Sequence, residues 1–156
     1  MGDDHTEAVR DMATDALAPV LGPGTVDTGL HPLTSGASRQ SWVFEAGPEG
    51  GPARRYVLQR EMIRPDPAAP PEERSLAMPA QAGLIEAADR VGVPVARTVA
   101  AGGRDGLGYI VADYVDGEAL PPKVLRDPDL ETARSGLTSD CAAALAAIHR
   151  IDPAGL

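Results

Sequence analysis

Turns rich in glycine and proline constrain this fold more than any other feature, because they divide the chain into short segments. The run from Gly47 to Pro52 separates two segments that carry the aromatic and β-branched residues typical of strands. Along the first segment, Trp42, Phe44 and Ala46 can share one face of a strand, while Ser41, Val43 and Glu45 share the other. With 17 Gly and 15 Pro, the chain excludes a helical bundle and is predicted to contain several short elements.

Hydrophobic periodicity predicts the other elements. Five strands with one helix inserted between the third and the fourth, joined by short hairpins, predict an α+β fold with an antiparallel sheet. Residues 64–74 contain too many prolines for a helix or a central strand, so we predict an exposed loop there. The predicted elements are a helix over 5–21, strands over 28–33, from the following loop to Gly47 and over 54–60, a helix over 78–91 capped by Gly92, strands over 95–101 and 107–115 around a turn at 102–106, and a helix within 128–150 that begins after Asp127-Pro128.

Composition and charge exclude several classes of function. A net charge of −9 argues against a general nucleic-acid binder and against docking on an anionic membrane surface. The single cysteine, Cys141, excludes an internal disulfide and a cysteine zinc site, and its helical spacing predicts a small core residue. No apolar run is long enough to span a membrane, and the acidic start lacks the features of a signal peptide. These observations predict a cytoplasmic protein.

A loop of small residues precedes the alternating strand. The loop places Ser35, Gly36, Ala37 and Ser38 in succession. Such residues let the backbone approach a ligand closely, and their N–H and hydroxyl groups suit phosphate oxygens. Taken alone, however, this stretch favours an ordinary hairpin turn, because short loops that contain glycine are common.

Five stretches carry the motifs of one known family, in the same order and at similar spacing. They are Leu33–Gln40, Tyr56–Glu61, Gln81–Ile85 with Gly92–Val95, Tyr109–Glu118, and Leu145–Asp152. On these stretches the chain resembles the N-terminal half of the aminoglycoside phosphotransferase family, the kinase-like small-molecule phosphotransferases that include choline kinase-type enzymes. The resemblance implies a kinase-like N-terminal lobe over residues 1–116, and a hinge, a connector and the first helix of a C-terminal lobe over residues 117–156.

The resemblance also implies a nucleotide site. Ser35, Gly36, Ala37 and Ser38 would cover the ATP phosphates, so in this context the loop favours a nucleotide lid. The adenine would meet backbone groups of Asp113, Tyr114 and Val115. The alternative is that these three residues simply end an edge strand.

Two neutral residues stand where kinases carry an ion pair. In kinases, a lysine on the third strand pairs with a glutamate on the next helix and holds the phosphates. The matching positions here are Gln59 and Gln81, which we assign to the nucleotide site. Gln59 can donate a hydrogen bond to a phosphate but lacks the charge of an ammonium group. Arg60 is adjacent, but strand alternation points it to the opposite side of the sheet.

The catalytic loop of the family has no counterpart in this sequence. That loop begins with His-Gly-Asp and carries a downstream Asn, and a further acidic residue binds magnesium. None of the three histidines, His5, His31 and His149, begins such a loop. We therefore assign no catalytic and no metal-binding residue, and the resemblance implies a fragment whose Mg²⁺ and acceptor sites belong to an absent C-terminal lobe.

These observations leave more than one hypothesis. The first is the ATP-binding lobe of a small-molecule kinase that transfers the γ-phosphate to a substrate hydroxyl, with no turnover expected from this chain alone. The second is a non-catalytic nucleotide-binding or protein-interaction module, similar to a pseudokinase fragment. In either case, the last helix would expose an apolar stripe that favours self-association, formed by Leu137, Cys141, Leu145 and Ile148. A third hypothesis is an unrelated α+β domain without a nucleotide site.

Overall fold

The order of helices and strands along the chain is close to the order that the periodicity predicts. The computed structural model describes residues 3–22, 26–33, 39–62, 68 and 76–155. The helices in these ranges are α1 (Asp3–Leu21), α2 (Met78–Arg90), α3 (Pro121–Arg126) and α4 (Glu131–Ile148). The strands are β1 (Val26–Pro32), β2 (Arg39–Gly47), β3 (Arg54–Glu61), β4 (Thr98–Arg104) and β5 (Leu107–Asp113). None of the described helices is both long enough and apolar enough to cross a membrane.

The strands form one antiparallel sheet in the order β1-β2-β3-β5-β4. Each neighbouring pair is antiparallel, so the predicted α+β fold with a five-stranded antiparallel sheet is confirmed. The α2 helix carries the chain from β3 to the far edge of the sheet, and the β4–β5 hairpin then returns to pair β5 with β3. The predicted loop over residues 64–74 lies outside the described residues, except for Ala68.

The core lies between α1 and one face of the sheet. Trp42, Phe44 and Ala46 are buried on this face, as their alternation predicts. Tyr56 and Leu58 of β3 stand opposite Phe44 and Trp42, and the Phe44 and Tyr56 rings are 5.9 Å apart. The α1 helix supplies the other side of this core at helical spacing, with Val9, Met12, Ala13, Ala16 and Leu17.

The second face of the sheet carries α2, which packs through Met78 and Ala82 against Ile110 of β5. Gly92 ends this helix with a φ of 82°, a conformation that glycine adopts without strain. The Gly92 N–H donates to the Asp89 carbonyl at 2.9 Å, and the Val93 N–H donates to the Ala88 carbonyl at 3.0 Å. The predicted glycine cap is therefore confirmed.

The fourth strand begins and ends later than predicted. The predicted strand over 95–101 lies at Thr98–Arg104, and the turn narrows to Asp105 and Gly106, which both have positive φ. An Asp-Gly pair suits this two-residue hairpin turn. Gly102 lies inside the strand because the Tyr109 ring packs on it: a Cβ there would lie 2.7 Å from Tyr109 Oη.

The C-terminal part contains one helix that the sequence analysis missed and one that it predicted. The short α3 was not predicted, whereas α4 lies within the predicted range. Asp127 accepts a hydrogen bond from the Asp129 N–H, and Pro128 begins a 3₁₀ turn that leads into α4. The prediction of a core position for Cys141 is wrong, because its side of α4 is exposed.

Candidate functional site

A cleft of about 460 Å³ opens on the α2 face of the sheet, next to the end of β5. This volume lies within the usual range of small-molecule sites. Its lining combines apolar side chains with a few polar ones: Val57, Gln59, Ile85, Val95, Ala96, Ile110, Ala112, Asp113 and Val115.

Strand alternation explains why the cleft floor is apolar. Val57 and Gln59 point away from the α1 core, because they alternate with the buried Tyr56 and Leu58. Val57 pairs with Ala112 and Gln59 pairs with Ile110, so the β3 and β5 side chains form one surface. Within the described residues, α2 contacts β4 and β5 most closely. The β3 side of this face is therefore left open.

The segment after β5 borders the cleft with its backbone. The Asp113 N–H donates to the Arg97 carbonyl at 3.0 Å, and the Tyr114 N–H donates to the Arg55 carbonyl at 3.1 Å. Both amides are therefore occupied. In the described part of the chain, the Val115 N–H has no such partner, so it is available to a ligand.

Two arginines hold this segment by their side chains. Arg97 binds Asp113 with two hydrogen bonds, Nε to Oδ2 at 2.9 Å and Nη2 to Oδ1 at 3.4 Å. Arg55 binds Asp116 at 2.6 Å, and its guanidinium lies 4.2 Å from the centre of the Tyr114 ring. The hydrogen bonds to these carboxylates raise the pKa of Arg97 and of Arg55. These contacts with Arg97 and Arg55 restrain residues 113–116.

Gln81 forms side-chain hydrogen bonds with Arg39 and with the Leu76 carbonyl. Its Oε1 accepts a hydrogen bond from Arg39 Nη2 at 2.6 Å, and its Nε2 donates to the Leu76 carbonyl. Sequence reasoning missed Arg39. The signal that could have found it is strand alternation, because Arg39 lies two residues before Ser41, which pairs with Gln59.

The structure brings together only part of the predicted site. Gln59, Asp113 and Val115 line the cleft, whereas Tyr114 lines neighbouring pockets with Arg55. The lid residues Ser35, Gly36, Ala37 and Ser38 lie outside the described residues. Across the described ranges, no group of three or more His, Cys, Asp or Glu side chains is arranged to hold a metal ion.

Arg60 does not reach the cleft. It pairs with Tyr109, which packs against the α1 core, so Arg60 follows the alternation predicted for it. Its buried Nε has no hydrogen-bond partner among the described residues. Arg60 therefore cannot supply a positive charge to the cleft, which lies on the other face of β3.

The described residues form an α+β domain with an open cleft beside the end of β5. A family model for the phosphotransferase enzyme family (APH) matches residues 29–156, which is most of the chain. The chain therefore belongs to the phosphotransferase enzyme family, as the sequence motifs predicted. No curated protein matches the chain.

Proposed function

We propose that the chain is the ATP-binding lobe of a small-molecule kinase, which transfers the γ-phosphate of ATP to a substrate hydroxyl. The observation that supports this most directly is the cleft, where an apolar floor meets the unpaired Val115 N–H. Residues 1–116 would form the nucleotide-binding lobe, and residues 117–156 would form the connector and the first helix of a C-terminal lobe. Family membership supports phosphotransfer as the reaction class.

The cleft suits a purine in a defined orientation. A flat aromatic base can pack on the Val57 and Ala112 side chains, which lie side by side on β3 and β5. At the edge of the base, the Val115 N–H would donate a hydrogen bond to a ring nitrogen. Asp113 and Tyr114 would act by holding the backbone in place, since their own amides are occupied.

The phosphates would extend toward Gln59 and toward the loop that contains Ser35, Gly36, Ala37 and Ser38. A phosphotransferase of this kind uses Mg²⁺ to neutralise the charge of the ATP phosphates. Mg²⁺ and the acceptor hydroxyl would bind to a C-terminal lobe, as the family resemblance implies.

A pair of substitutions at Val115 tests this proposal. Val115→Pro removes the N–H that would bind the base, whereas Val115→Ala keeps it, and the exposed side chain makes both changes mild for folding. Isothermal titration calorimetry with adenosine and ATP should detect binding to the wild type and to Val115→Ala, and a strong loss in Val115→Pro. Failure of the wild type to bind either compound would refute the proposal.

A second candidate is a non-catalytic module that binds a nucleotide or a partner protein. The exposed apolar side chains on α4 favour it: Leu137, Leu145 and Ile148 are each more than two-fifths exposed. Light scattering over a range of concentrations tests it. Association that disappears in Leu137→Ser/Leu145→Ser, without nucleotide binding by the wild type, would favour this candidate over the first.

A further inference from the structure

We propose that Arg39 is the cation that binds the nucleotide phosphates in this chain, in place of the lysine on the third strand of kinases. This inference rests on the proposed ATP-binding function and names one residue of that site. Gln59 occupies the third-strand position, and its amide can donate a hydrogen bond but carries no charge. A residue other than Gln59 must therefore supply the positive charge that binds a phosphate in this cleft.

Arg39 lies on the face of the sheet that carries the cleft. It is the first residue of β2. It pairs with Glu61, and Ser41, two residues later, pairs with Gln59. Residues two apart on a strand share a face, and so do residues paired across strands. The side chains of Arg39, Ser41 and Gln59 therefore project to the same side.

The contact with α2 places the guanidinium where a phosphate-binding cation is expected. In kinases, that cation is held by an acidic residue on the helix that follows the third strand. The corresponding helix here is α2, and Arg39 Nη2 donates to Gln81 Oε1 at 2.6 Å in a partly buried position. The Gln81 amide is itself oriented by its hydrogen bond to the Leu76 carbonyl, which leaves Oε1 directed at Arg39.

The charge of Arg39 remains available to an anion. Gln81 is neutral, so its hydrogen bond positions the guanidinium without neutralising it. The neighbouring Glu61 uses Oε2 to accept a hydrogen bond from the Gly108 N–H at 2.7 Å. A guanidinium has five N–H donors, and its planar fork matches two oxygens of a phosphate.

Other arginines near the cleft are already held by carboxylates. Arg55 binds Asp116 and Arg97 binds Asp113. Of these three arginines, Arg39 is the one whose hydrogen-bond partner among the described residues is neutral. The structure therefore favours Arg39 over Arg55 and Arg97 as the phosphate ligand.

Arg39→Gln tests this inference when binding of ATP and of adenosine is compared by calorimetry. We expect the affinity for ATP to fall at least about tenfold, because a charge-assisted hydrogen bond is lost, while adenosine affinity stays within about twofold. Arg104→Gln is the matched control, because Arg104 is an exposed arginine that binds Asp15 of α1 on the other face. It should change neither affinity.

A second substitution should restore the lost preference for ATP. Arg39→Gln/Gln59→Lys moves the cation back to the third strand, so ATP should again bind more tightly than adenosine. Equal losses for ATP and adenosine in Arg39→Gln, or no loss for either, would overturn the inference. Absence of adenosine binding by the wild type would instead overturn the proposed function.

The wild-type protein allows a measurement that does not depend on how the variants fold. In a nuclear magnetic resonance titration, the Nε–H signal of Arg39 should shift on addition of ADP and stay in place on addition of adenosine. A signal that responds equally to both ligands, or to neither while adenosine binds, would contradict a phosphate contact.

Discussion

The two faces of the sheet are built from the same strands but differ in how they are covered. On the α1 face, Phe44, Tyr56, Leu58 and Val111 are at most 2% exposed. On the α2 face, Ile110 is buried under α2, but Val57, which lies between Tyr56 and Leu58 on β3, is only half-buried. The difference arises because the two helices cover different parts of the sheet. The α1 helix contacts β1 and β4, at opposite edges of the sheet, whereas the main contacts of α2 are with β4 and β5.

This comparison separates stability from binding. Burial of large apolar side chains is the main favourable contribution to folding, so the α1 face should contribute most of the stability of the sheet. The α2 face keeps apolar surface accessible beside the Val115 N–H, which is what a ligand site requires. Substitutions at matched positions on the two faces can test this division.

The largest effect should come from truncating a buried residue on the α1 face. Leu58→Ala should lower the free energy of unfolding by about 2–5 kcal/mol, because it leaves a cavity under α1. Val57→Ala, the adjacent residue on the other face, should cost about 1 kcal/mol or less. Urea denaturation measures both values. Equal losses at the two positions would show that the faces contribute alike.

Replacing an alanine by phenylalanine should also affect stability differently on the two faces. Ala46→Phe should cost about 3 kcal/mol, because Ala46 is fully buried in the α1 core. Ala112→Phe places the same ring in the open cleft, where it should change stability by less than about 1 kcal/mol. It should also block adenosine binding, as calorimetry would detect. Normal adenosine binding by Ala112→Phe would place the ligand elsewhere.

Alanine substitutions at two glycines should change the free energy of unfolding in opposite directions. Gly102→Ala should lower the free energy of unfolding by about 1–2 kcal/mol, because the new Cβ meets the Tyr109 ring. Gly83→Ala should raise it by about 0.5–1 kcal/mol, because Gly83 lies in α2 and a Cβ there has nothing within 4 Å. Thermal denaturation measures whether each substitution raises or lowers the stability. Destabilisation by Gly83→Ala would show that the protein packs closely against α2 at Gly83.

The smallest effect should come from an ion pair at the rim of the cleft. Arg97→Gln should change the free energy of unfolding by less than about 0.5 kcal/mol, because the Arg97 side chain is 56% exposed and water screens its pairing with Asp113. Urea denaturation at low and high salt measures this change. A loss above about 1 kcal/mol would mean that the cleft rim stabilises the fold as the α1 core does.

Much of the fold follows from local signals in the sequence. Alternation placed Trp42 and Phe44 on one face, Gly92 marked the end of α2, and Asp127 marked the start of the 3₁₀ turn that leads into α4. These predictions succeeded because each depends on backbone conformation or on neighbours within a few residues. Within the proposed site, sequence motifs indicated Gln59 and the segment Asp113–Val115. Of these residues, Gln59, Asp113 and Val115 line one cleft.

Other features depend on residues that are distant in the sequence. Alternation can indicate the face to which Arg39 points, but not its contact with Gln81, which lies 42 positions away. The contact of the Tyr109 ring with Gly102 appears only when β4 and β5 are paired. Occupation of the Asp113 and Tyr114 amides by Arg97 and Arg55 likewise appears only when the strands are paired.

The sequence by itself therefore determined the types and order of the five strands and of every described helix except α3, the face to which the core residues of the strands point, and the family. Periodicity and turn chemistry act over a few residues, so they can be recognised without knowing the fold. Only the tertiary structure decided which face α2 covers incompletely, that the Val115 N–H has no partner among the described residues, and that the partner of Arg39 is neutral. These properties depend on how far each helix covers the sheet, and only long-range packing sets that extent.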